Sequence, residues 1–581
     1  MHKIIKTILI LLLGGIQMLG AQETESETIE TQTVTVTKAY APTVSDAFKL
    51  KTTPSTNDSI TLPKKDITYT INSVPVASTF MPVKGKASKP TNLATQDLLN
   101  SFASLGIGNY GTVDADFYTN RSLKNDAIVA LNLNHRSSQG GIDEVALSNK
   151  YADSYLGASY GVDKEKMYWN TSIGFQHQYY NWYGLPTDVL ATTVADENQN
   201  YLMGTLAGSV SLDDSFFKKA TMRYRRFWDA TESGEDNFIV ATNFEFPVND
   251  ELLNIGASMD YIKGSFKNSD VNSVTNTAGI NYGFLQVGIQ PNIEMERDGI
   301  SLKLGVDLTF NNDLETGNNN FYIYPNITAS YEVLEDLVTA YGGIQGALEQ
   351  HSYYQFAQEN PFVSPTLTIA PTDSKYNAFI GAKGKLVSNI SYDVKGSYSA
   401  INNSPLFKLN PLNNARNGDG GFYSGNSFSI FYDDLKVIGL SGAVSAILNS
   451  NVTIGLDANV QDYTTETGNP AWNLPNVEAT FTVDYELKSK WFLGGSLFFI
   501  GERKDAESIV QGSQGPAGFP TTIKTLPSFL DANIYGRYAL DKQWSFFAKA
   551  ANLTNNNYQQ WANFEVQGFQ LLVGASYQFD L

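Results

Sequence analysis

The chain has 581 residues, a formal net charge of −19 at pH 7, and only 17% charged against 12% aromatic residues. The acidic balance argues against nucleic acid as a partner, because nucleic-acid-binding surfaces are basic. The chain contains no cysteine, which excludes disulfides and thiolate-bound metals, and we expect no cofactor. Beyond the N-terminus no apolar stretch approaches the ~20 residues of a transmembrane helix, so the chain is soluble or crosses a membrane as strands.

Residues 1–21 have the pattern of a secretory signal peptide. Lys3 and Lys6 precede an apolar run over residues 8–13, and small residues lead up to Ala21. The run is too short to span the hydrocarbon layer of a membrane. We therefore expect export of the chain and cleavage after Ala21.

Residues 22–98 are predicted to form an extended periplasmic segment. The stretch ETIETQTVTVTK at 27–38 alternates Thr and Val like a strand, yet nothing nearby is suited to pair with it. Six of the 20 prolines of the chain follow between Pro42 and Pro90. Proline at this density breaks sheets, so we expect no compact domain before the next segment.

Residues 99–581 are predicted to form an antiparallel transmembrane β-barrel. Segments such as VEATFTVDYELK at 477–488 alternate apolar and polar residues over more than ten positions. Strands of this length with one apolar face are typical of outer-membrane barrels, in which closure satisfies every backbone group. About 22 such segments lie between residues 101 and 579, and 20 to 22 strands fit best. A soluble β-sandwich or propeller is the alternative.

The connections between these segments fall into two classes, as expected for a barrel. Short ones such as 297–299 contain Asp-Gly or Asn-rich turn sequences, and they are predicted periplasmic turns. The long ones are polar and rich in Gly, Asn and Pro, and they lie at 181–199, 264–280, 350–374, 403–426 and 504–525. Within them, the acidic stretches RNGDGG at 416–421 and KDAE at 504–507 are interpreted as solvated loop tips.

The last predicted strand ends on an aromatic residue. Tyr577 and Phe579 fall on the apolar face of residues 567–579. A terminal aromatic of this kind is the insertion signal of outer-membrane proteins, so the barrel-assembly machinery and outer-membrane lipid are expected partners.

Few side chains suggest catalysis. His135 and His177 lie on predicted strands, with Asp114, Asp116 and Arg136 nearby in sequence. Polar residues facing a wet lumen explain them better than a catalytic set, which would need a nucleophile oriented by a base. An enzyme is therefore disfavoured.

An aromatic cluster follows His177 in the stretch FQHQYYNWYG. Its members are Tyr179, Tyr180, Trp182 and Tyr183. An aromatic girdle at the membrane interface is the favoured interpretation, and a stacking platform for a sugar is the alternative.

The C-terminal region resembles that of TonB-dependent receptors, which carry an Asn-Leu-x-Asn-x-x-Tyr stretch before the final strand. Here the stretch comprises Asn552, Leu553, Asn555 and Tyr558. SLGIGNYGTVDADFYTNRS at 104–122 is similar to the barrel start of Bacteroidetes-type members that lack a plug domain. The resemblance covers roughly residues 100–581 and implies transport across the outer membrane.

The same family begins with a TonB box that pairs as an added strand with a periplasmic coupling protein. Thr33, Val34, Thr35, Val36 and Thr37 resemble such a box, and a strand rich in β-branched residues is suited to this pairing. The roughly 60 residues that separate Lys38 from the first barrel strand are too few for the plug domain of the family.

Two functions remain open. One is transport by a plugless receptor-like barrel, and the other is a scaffold subunit of an outer-membrane assembly or secretion complex. A 22-strand barrel encloses a lumen wider than that of a porin. We expect it to be sealed by the N-terminal segment, by inward-folded loops or by another protein.

Overall fold

The computed structural model describes residues 99–581 except 187, 188, 190, 192, 193, 195, 250, 274, 276, 277, 417, 489 and 509–520. The signal peptide, the extended segment 22–98 and the TonB-box-like stretch lie outside these residues and stay predictions.

Twenty-two antiparallel strands form one closed sheet, which confirms the predicted barrel. The first strand pairs with the last, from Ser101 opposite Phe579 to Gly108 opposite Leu572, so the sheet has no free edge. The barrel strands are β1 (Ser101–Gly108), β2 (Val113–Ser122), β3 (Ala127–Ser138), β4 (Tyr151–Lys164), β5 (Met167–Asn181), β6 (Asn198–Leu212), β7 (Phe217–Asp229), β8 (Gly234–Val248), β9 (Glu251–Phe266), β10 (Ile280–Arg297), β11 (Ile300–Asp313), β12 (Asn319–Leu334), β13 (Val338–Glu349), β14 (Thr372–Val387), β15 (Ile390–Leu409), β16 (Phe428–Asn449), β17 (Val452–Thr465), β18 (Val477–Leu487), β19 (Trp491–Ile500), β22 (Phe529–Ala539), β23 (Trp544–Ala551) and β26 (Gln570–Phe579).

The remaining elements lie in the long loops. β20 (Arg503–Ser508) pairs with β21 (Thr521–Leu526), and β24 (Gln559–Trp561) pairs with β25 (Phe564–Glu565). The helix α1 (Tyr353–Glu359) lies between β13 and β14. In the described part of the chain, no helix has the length and apolar character needed to cross a membrane.

The alternation seen in the sequence separates an outer from an inner face. On β11, Leu304 and Phe310 are exposed on the outside, whereas Thr309 and Asn311 are buried on the lumen side. Exposed Leu, Ile, Val and Phe recur on the outer face of most strands. Such a surface is unfavourable in water and favourable against lipid, so the barrel is a transmembrane one.

The two ends of the barrel differ. At the end that holds Ser101 and Phe579, here called the turn end, hairpins close with tight turns such as Asp298-Gly299, where both φ angles are positive. At the opposite end, here called the loop end, most of the longer connections emerge. Most of the buried apolar side chains gather at the loop end.

If the outer face meets lipid, a charged side chain introduced there should destabilise the barrel more than one introduced on the lumen side. Leu304→Arg should destabilise the barrel by about 2–4 kcal/mol, because an arginine near the middle of the bilayer is poorly solvated. Asn326→Arg on the neighbouring strand is the control, since Asn326 donates to Asp307 on the lumen side at 3.4 Å. Urea titration of the protein in lipid vesicles measures both variants. Equal destabilisation by the two substitutions would contradict the assignment of faces.

Candidate functional site

A packed core of loop and strand side chains lies in the mouth of the barrel at the loop end, and we call it the loop core. Its largest fully buried members are Trp182, Tyr201, Tyr353, Tyr423, Phe227, Phe266, Phe356, Phe428 and Phe564. They come from the barrel wall and from the loops that follow β5, β13, β15 and β23. The loops therefore fold inward over the lumen, which is one of the three seals expected.

Aromatic stacking joins loops that start at distant strands. Phe362 from the β13–β14 loop stacks on Phe564 from the β23–β26 loop, with ring centroids 3.9 Å apart. The ring of Tyr183, in the β5–β6 loop, meets both edge-on at 5.5 and 4.9 Å. Trp561 contacts Phe428 at 5.5 Å. These pairs contribute beyond their area burial, so the three loops form one packed unit.

Hydrogen bonds extend the loop core across the mouth. The side-chain amide of Asn426 donates to the carbonyl of Trp182, and the backbone N–H of Gly421 donates to the carbonyl of Asp196 at 3.1 Å. These residues belong to the β15–β16 and β5–β6 loops, which start on nearly opposite sides of a ring of 22 strands. The contact therefore bridges the lumen.

Helix α1 is held against the wall by buried carboxylates of β7 and β8. Glu235 accepts from the backbone N–H of Tyr353 at 2.6 Å and from the hydroxyl of Tyr282 at 2.8 Å. Asp229 accepts from the hydroxyl of Tyr353 at 2.7 Å. Arg225 lies 3.5 Å from Glu235 and donates to Ser352 at 3.2 Å. Each of these buried charged groups therefore has partners. Removing a partner would leave a buried charge uncompensated.

A cavity of about 480 Å³ lies between α1 and the inner wall. Arg223 and Arg225 line it on the wall side, and Tyr354 lies on the helix side, with its ring 4.0 Å from the Arg225 guanidinium. Four side-chain amides line it as well, and one carboxylate, that of Asp260, with Ser352 and two isoleucines completes the lining; the amides are Asn237, Gln350, Gln355 and Gln358. The cavity is rich in hydrogen-bond donors, which suits a ligand with oxygen acceptors.

The acidic loop stretches are only partly solvated: Asp419 and Glu507 are exposed, but the interpretation as solvated tips was wrong for Arg416 and Asp505. Asp505 has no exposed surface, and it accepts from the backbone N–H of Leu409 at 2.9 Å and from Asn473 at 2.8 Å. Arg416 is 3% exposed, pairs with Asp419 at 3.1 Å and lies 4.2 Å from the Tyr423 ring. Polar loop residues are buried here because they satisfy the backbone groups that inward folding removes from water.

The interfacial girdle was wrong for most of the aromatic cluster. Trp182 is 1% exposed and packs on Phe422 at 5.4 Å, inside the loop core. Tyr180 and Tyr183 pack against the same unit. Tyr179 instead contacts Asn181 and Asn198 with its hydroxyl. Tyr180 lies on the strand face opposite the exposed Ile173 and Phe175, so it points into the lumen.

The polar strand residues divide between the two faces. Asp114 lies 3.5 Å from Arg136 and 3.2 Å from Lys549 on the lumen side, as expected for wall residues. Asp116 accepts from Asn134. His135 shares its strand face with the exposed Leu131 and Leu133, and His177 shares its own with the exposed Ile173 and Phe175, so the lumen-facing interpretation was wrong for both histidines.

Both strand histidines bind neutral side chains. His135 contacts Ser154 at 2.7 Å and Ser137 at 3.0 Å, and His177 contacts Asn200 at 3.1 Å. The structure does not bring either to Asp114. Among the described residues, no group of three or more His, Asp or Glu side chains is arranged to hold a metal ion.

The Asn-Leu-x-Asn-x-x-Tyr stretch organises the last loop. Asn552 and Asn555 adopt positive φ angles of 48° and 47°. Asn552 donates to the carbonyl of Gln567 at 2.9 Å, and Asn555 accepts from the N–H of Phe569 at 2.7 Å. Tyr558 stacks on a strand aromatic and donates to a strand carboxylate. The stretch therefore sets the path of the loop that supplies Phe564.

Sequence reasoning missed the loop core, although a signal was present. The long loops carry large aromatics such as Tyr353, Phe362, Phe422 and Trp561. Loops that only face water rarely need such residues.

No protein-family model and no curated protein matches the sequence. Among solved structures, the chain resembles the ferripyoverdine receptor of the Pseudomonas aeruginosa outer membrane, with a TM-score of 0.60 and 12% identity over 84% of this chain and 72% of that one. It also resembles the FrpB iron transporter from Neisseria meningitidis, with a TM-score of 0.61 and 11% identity over 84% and 82% of the two chains. For the ferric-catecholate import receptor Fiu from E. coli K12, the TM-score is 0.59 with 12% identity over 83% and 82%.

These proteins are TonB-dependent receptors with a 22-strand barrel. At such low identity the likeness establishes a shared fold. The chain therefore has the barrel of this class of outer-membrane receptor, and the plugless subtype stays a prediction.

The loop core predicts a local effect of removing one ring. Phe564→Ala should destabilise the closed loops by about 3 kcal/mol, because it leaves a cavity in a fully buried cluster. Hydrogen exchange in residues 353–369 and 421–428 should accelerate, while the exchange of the barrel strands stays unchanged. Phe569→Ala is the control, since Phe569 is 37% exposed. Unchanged loop exchange in Phe564→Ala would show that the loops do not depend on this contact.

The loop core should also respond to pH through Asp505. Burial raises the pKa of Asp505 from its ordinary 3.8 to about 6, despite hydrogen bonds from Leu409 and Asn473. Between pH 3.8 and about pH 6, Asp505 is therefore protonated to a greater extent in the closed loops than in the opened loops. Closure is therefore most stable below about pH 4, weakens by about 3 kcal/mol as pH rises through 6, and is flat above that.

Hydrogen exchange corrected for its intrinsic pH dependence measures this at pH 5 and 7.5. Residues 503–508 should be better protected at pH 5. Asp505→Asn should remove the difference, and Asp213→Asn at the turn end should retain it. A stability difference that survives Asp505→Asn would assign the effect to another group.

Proposed function

We propose that the chain is an integral outer-membrane barrel that transports a ligand through its lumen and that the loop core is its outer gate. The observation that carries this proposal is the closure of a receptor-type 22-strand barrel by loops from opposite walls. All contacts within the closure are non-covalent, since the chain has no cysteine. A seal of this kind opens and closes without a chemical step.

Opening requires the loops to leave the wall at defined points. Helix α1 must release its hydrogen bonds to Glu235 and Asp229, and the β15–β16 loop must release Trp182. As α1 leaves the wall, an entering ligand meets Arg223 and Arg225, which line the cavity behind the helix in the closed state. These arginines thus lie where a ligand with oxygen acceptors would pause on its way inward.

The proposal also assigns roles to the N-terminal residues and to the last strand. The precursor is cleaved near Ala21, and residues 22–98 form a periplasmic segment without a plug domain. Thr33 to Thr37 pair with a TonB-like protein that supplies energy. The barrel-assembly machinery recognises Tyr577 and Phe579, and their adjacent rings at the turn end are 5.5 Å apart.

A scaffold subunit of an outer-membrane assembly or secretion complex is the second candidate. It is favoured by the character of the loop core, which buries aromatic side chains where a permanent channel would need water. Purification from mild detergent separates the two candidates. Stoichiometric recovery with assembly or secretion components supports the scaffold, and recovery alone supports the transporter.

Planar-bilayer conductance tests the gate directly. The full chain should conduct little, and the double variant Phe362→Ala with Phe564→Ala should raise conductance at least tenfold by loosening the seal. Deletion of residues 22–96 in the wild-type background shows what the N-terminal segment adds. Phe569→Ala is the matched control. The deletion is also combined with the double variant. Wild-type conductance in both the double variant and this combined variant would contradict the proposal that the loop core is the gate.

A further inference from the structure

A second cavity lies at the edge of the loop core, and we call it the rim pocket. It has a volume of about 310 Å³ and lies on the lumen side of β11 to β15, next to the tip of the β11–β12 hairpin. Asn311, Asn320, Tyr322, Asp373 and Asn402 line it. Asn318 and Asn320 are exposed at this rim, so a ligand reaches the pocket from outside while the gate is shut.

Backbone irregularities surround the rim pocket. Three neighbouring strand pairs shift register near the loop end: β13–β14 between Gln345 and Ala347, β14–β15 between Ser374 and Tyr376, and β15–β16 between Ile401 and Ser404. Such bulges re-aim side chains and are over-represented near functional sites. The last one places Asn402 and Asn403 in the pocket lining, with Asn403 at a φ of 55°. The wall is therefore shaped locally around this pocket.

One lining residue has an unsatisfied polar atom. Asn311 is 3% exposed, and its side-chain oxygen has no hydrogen-bond partner within the described residues. Burying an amide oxygen without a donor is costly, and native structures rarely keep such groups without a reason. A bound ligand with a hydroxyl donor would satisfy it after a small rotation of the amide.

The lining defines the class of ligand. Asn amides donate and accept, and Asp373 accepts from Tyr324 at 2.8 Å and from Asn402 at 3.4 Å. The lining contains two carboxylates, those of Asp313 and Asp373, and no Lys or Arg, which disfavours phosphates and carboxylates as ligands. The Tyr322 ring, whose plane lies 5° from that of the buried Tyr324 behind it in the strand, and Pro371 give the pocket apolar surface. Hydroxyl-binding edges beside a flat apolar face suit a sugar ring.

We propose that the rim pocket binds a neutral sugar residue of a saccharide. The volume accommodates one ring, at the lower end of the range for ligand sites. The sugar is either a free saccharide or a residue in a surface polysaccharide, and both present the same hydroxyls. Binding at the rim does not require passage through the lumen, so this proposal stands or falls independently of transport.

Saturation-transfer NMR on the full chain tests the proposal. The protein is kept in a detergent without sugar head groups, and the probes are the methyl glycosides of glucose, galactose and mannose. At least one glycoside should receive saturation. Asn320→Ala and Asn402→Ala should each weaken its binding roughly five- to tenfold, the effect of one neutral hydrogen bond. Asn326→Ala, which changes an inward amide of the same strand β12 outside the pocket, should bind as the wild type does.

A folding check and three further results determine whether the proposal holds. Folding of each variant is checked by heat-modifiable gel migration, and Tyr322→Phe, which keeps the ring, replaces any variant that fails to fold. Absence of saturation for all three glycosides, or equal binding by wild type and the pocket variants, would overturn the proposal. Equal binding of glycerol or glucuronate would overturn it too, since neither is a neutral sugar ring. Competition by a polymer of the sugar that binds, at matched sugar concentration, identifies a polymer-bound residue, and absence of that competition identifies a free saccharide.

Discussion

In a membrane, every backbone N–H and C=O of a strand needs a partner within the protein. The pairing of β1 with β26 meets this requirement by removing both free edges of the sheet. The same closure creates a second problem, because 22 strands enclose a space that their own side chains do not fill. The loop core answers that problem at the loop end. Its aromatic packing, buried carboxylates and bridging hydrogen bonds follow from the width that closure imposes.

The loop core combines two kinds of contact with different roles. Rings such as Phe362 and Phe564 supply apolar burial without fixing one arrangement of the loops. Directional bonds, such as those from Tyr353 to Glu235 and Asp229, fix where helix α1 meets the wall. Because those carboxylates are buried, a misplaced helix leaves them unpaired at high cost. The polar contacts therefore select the closed arrangement that the rings stabilise.

The sequence predicted the barrel well because its signal is local. Alternation of the kind seen around Leu304 and Thr309 depends only on adjacent residues, and turns such as Asp298-Gly299 depend on short-range chemistry. The loop core depends on contacts between residues far apart in the chain, such as Trp182 with Asn426. No local pattern shows whether a polar loop folds outward into water or inward over a lumen. Asp505 and Arg416 were therefore misplaced. His135 and His177 were assigned to the wrong face because alternation does not show where the lipid band ends and polar residues begin to appear on the outer face.

The bridging loops also bear on the mechanics of the barrel. A wide ring of strands, joined only to neighbours, deforms easily from a circle toward an ellipse. The contact between the β5–β6 and β15–β16 loops ties nearly opposite sections of that ring together. It acts as a cross-brace, so the loop end resists flattening more strongly than a ring without such ties. Lateral pressure from the bilayer and opening of the mouth are then coupled through the same few hydrogen bonds.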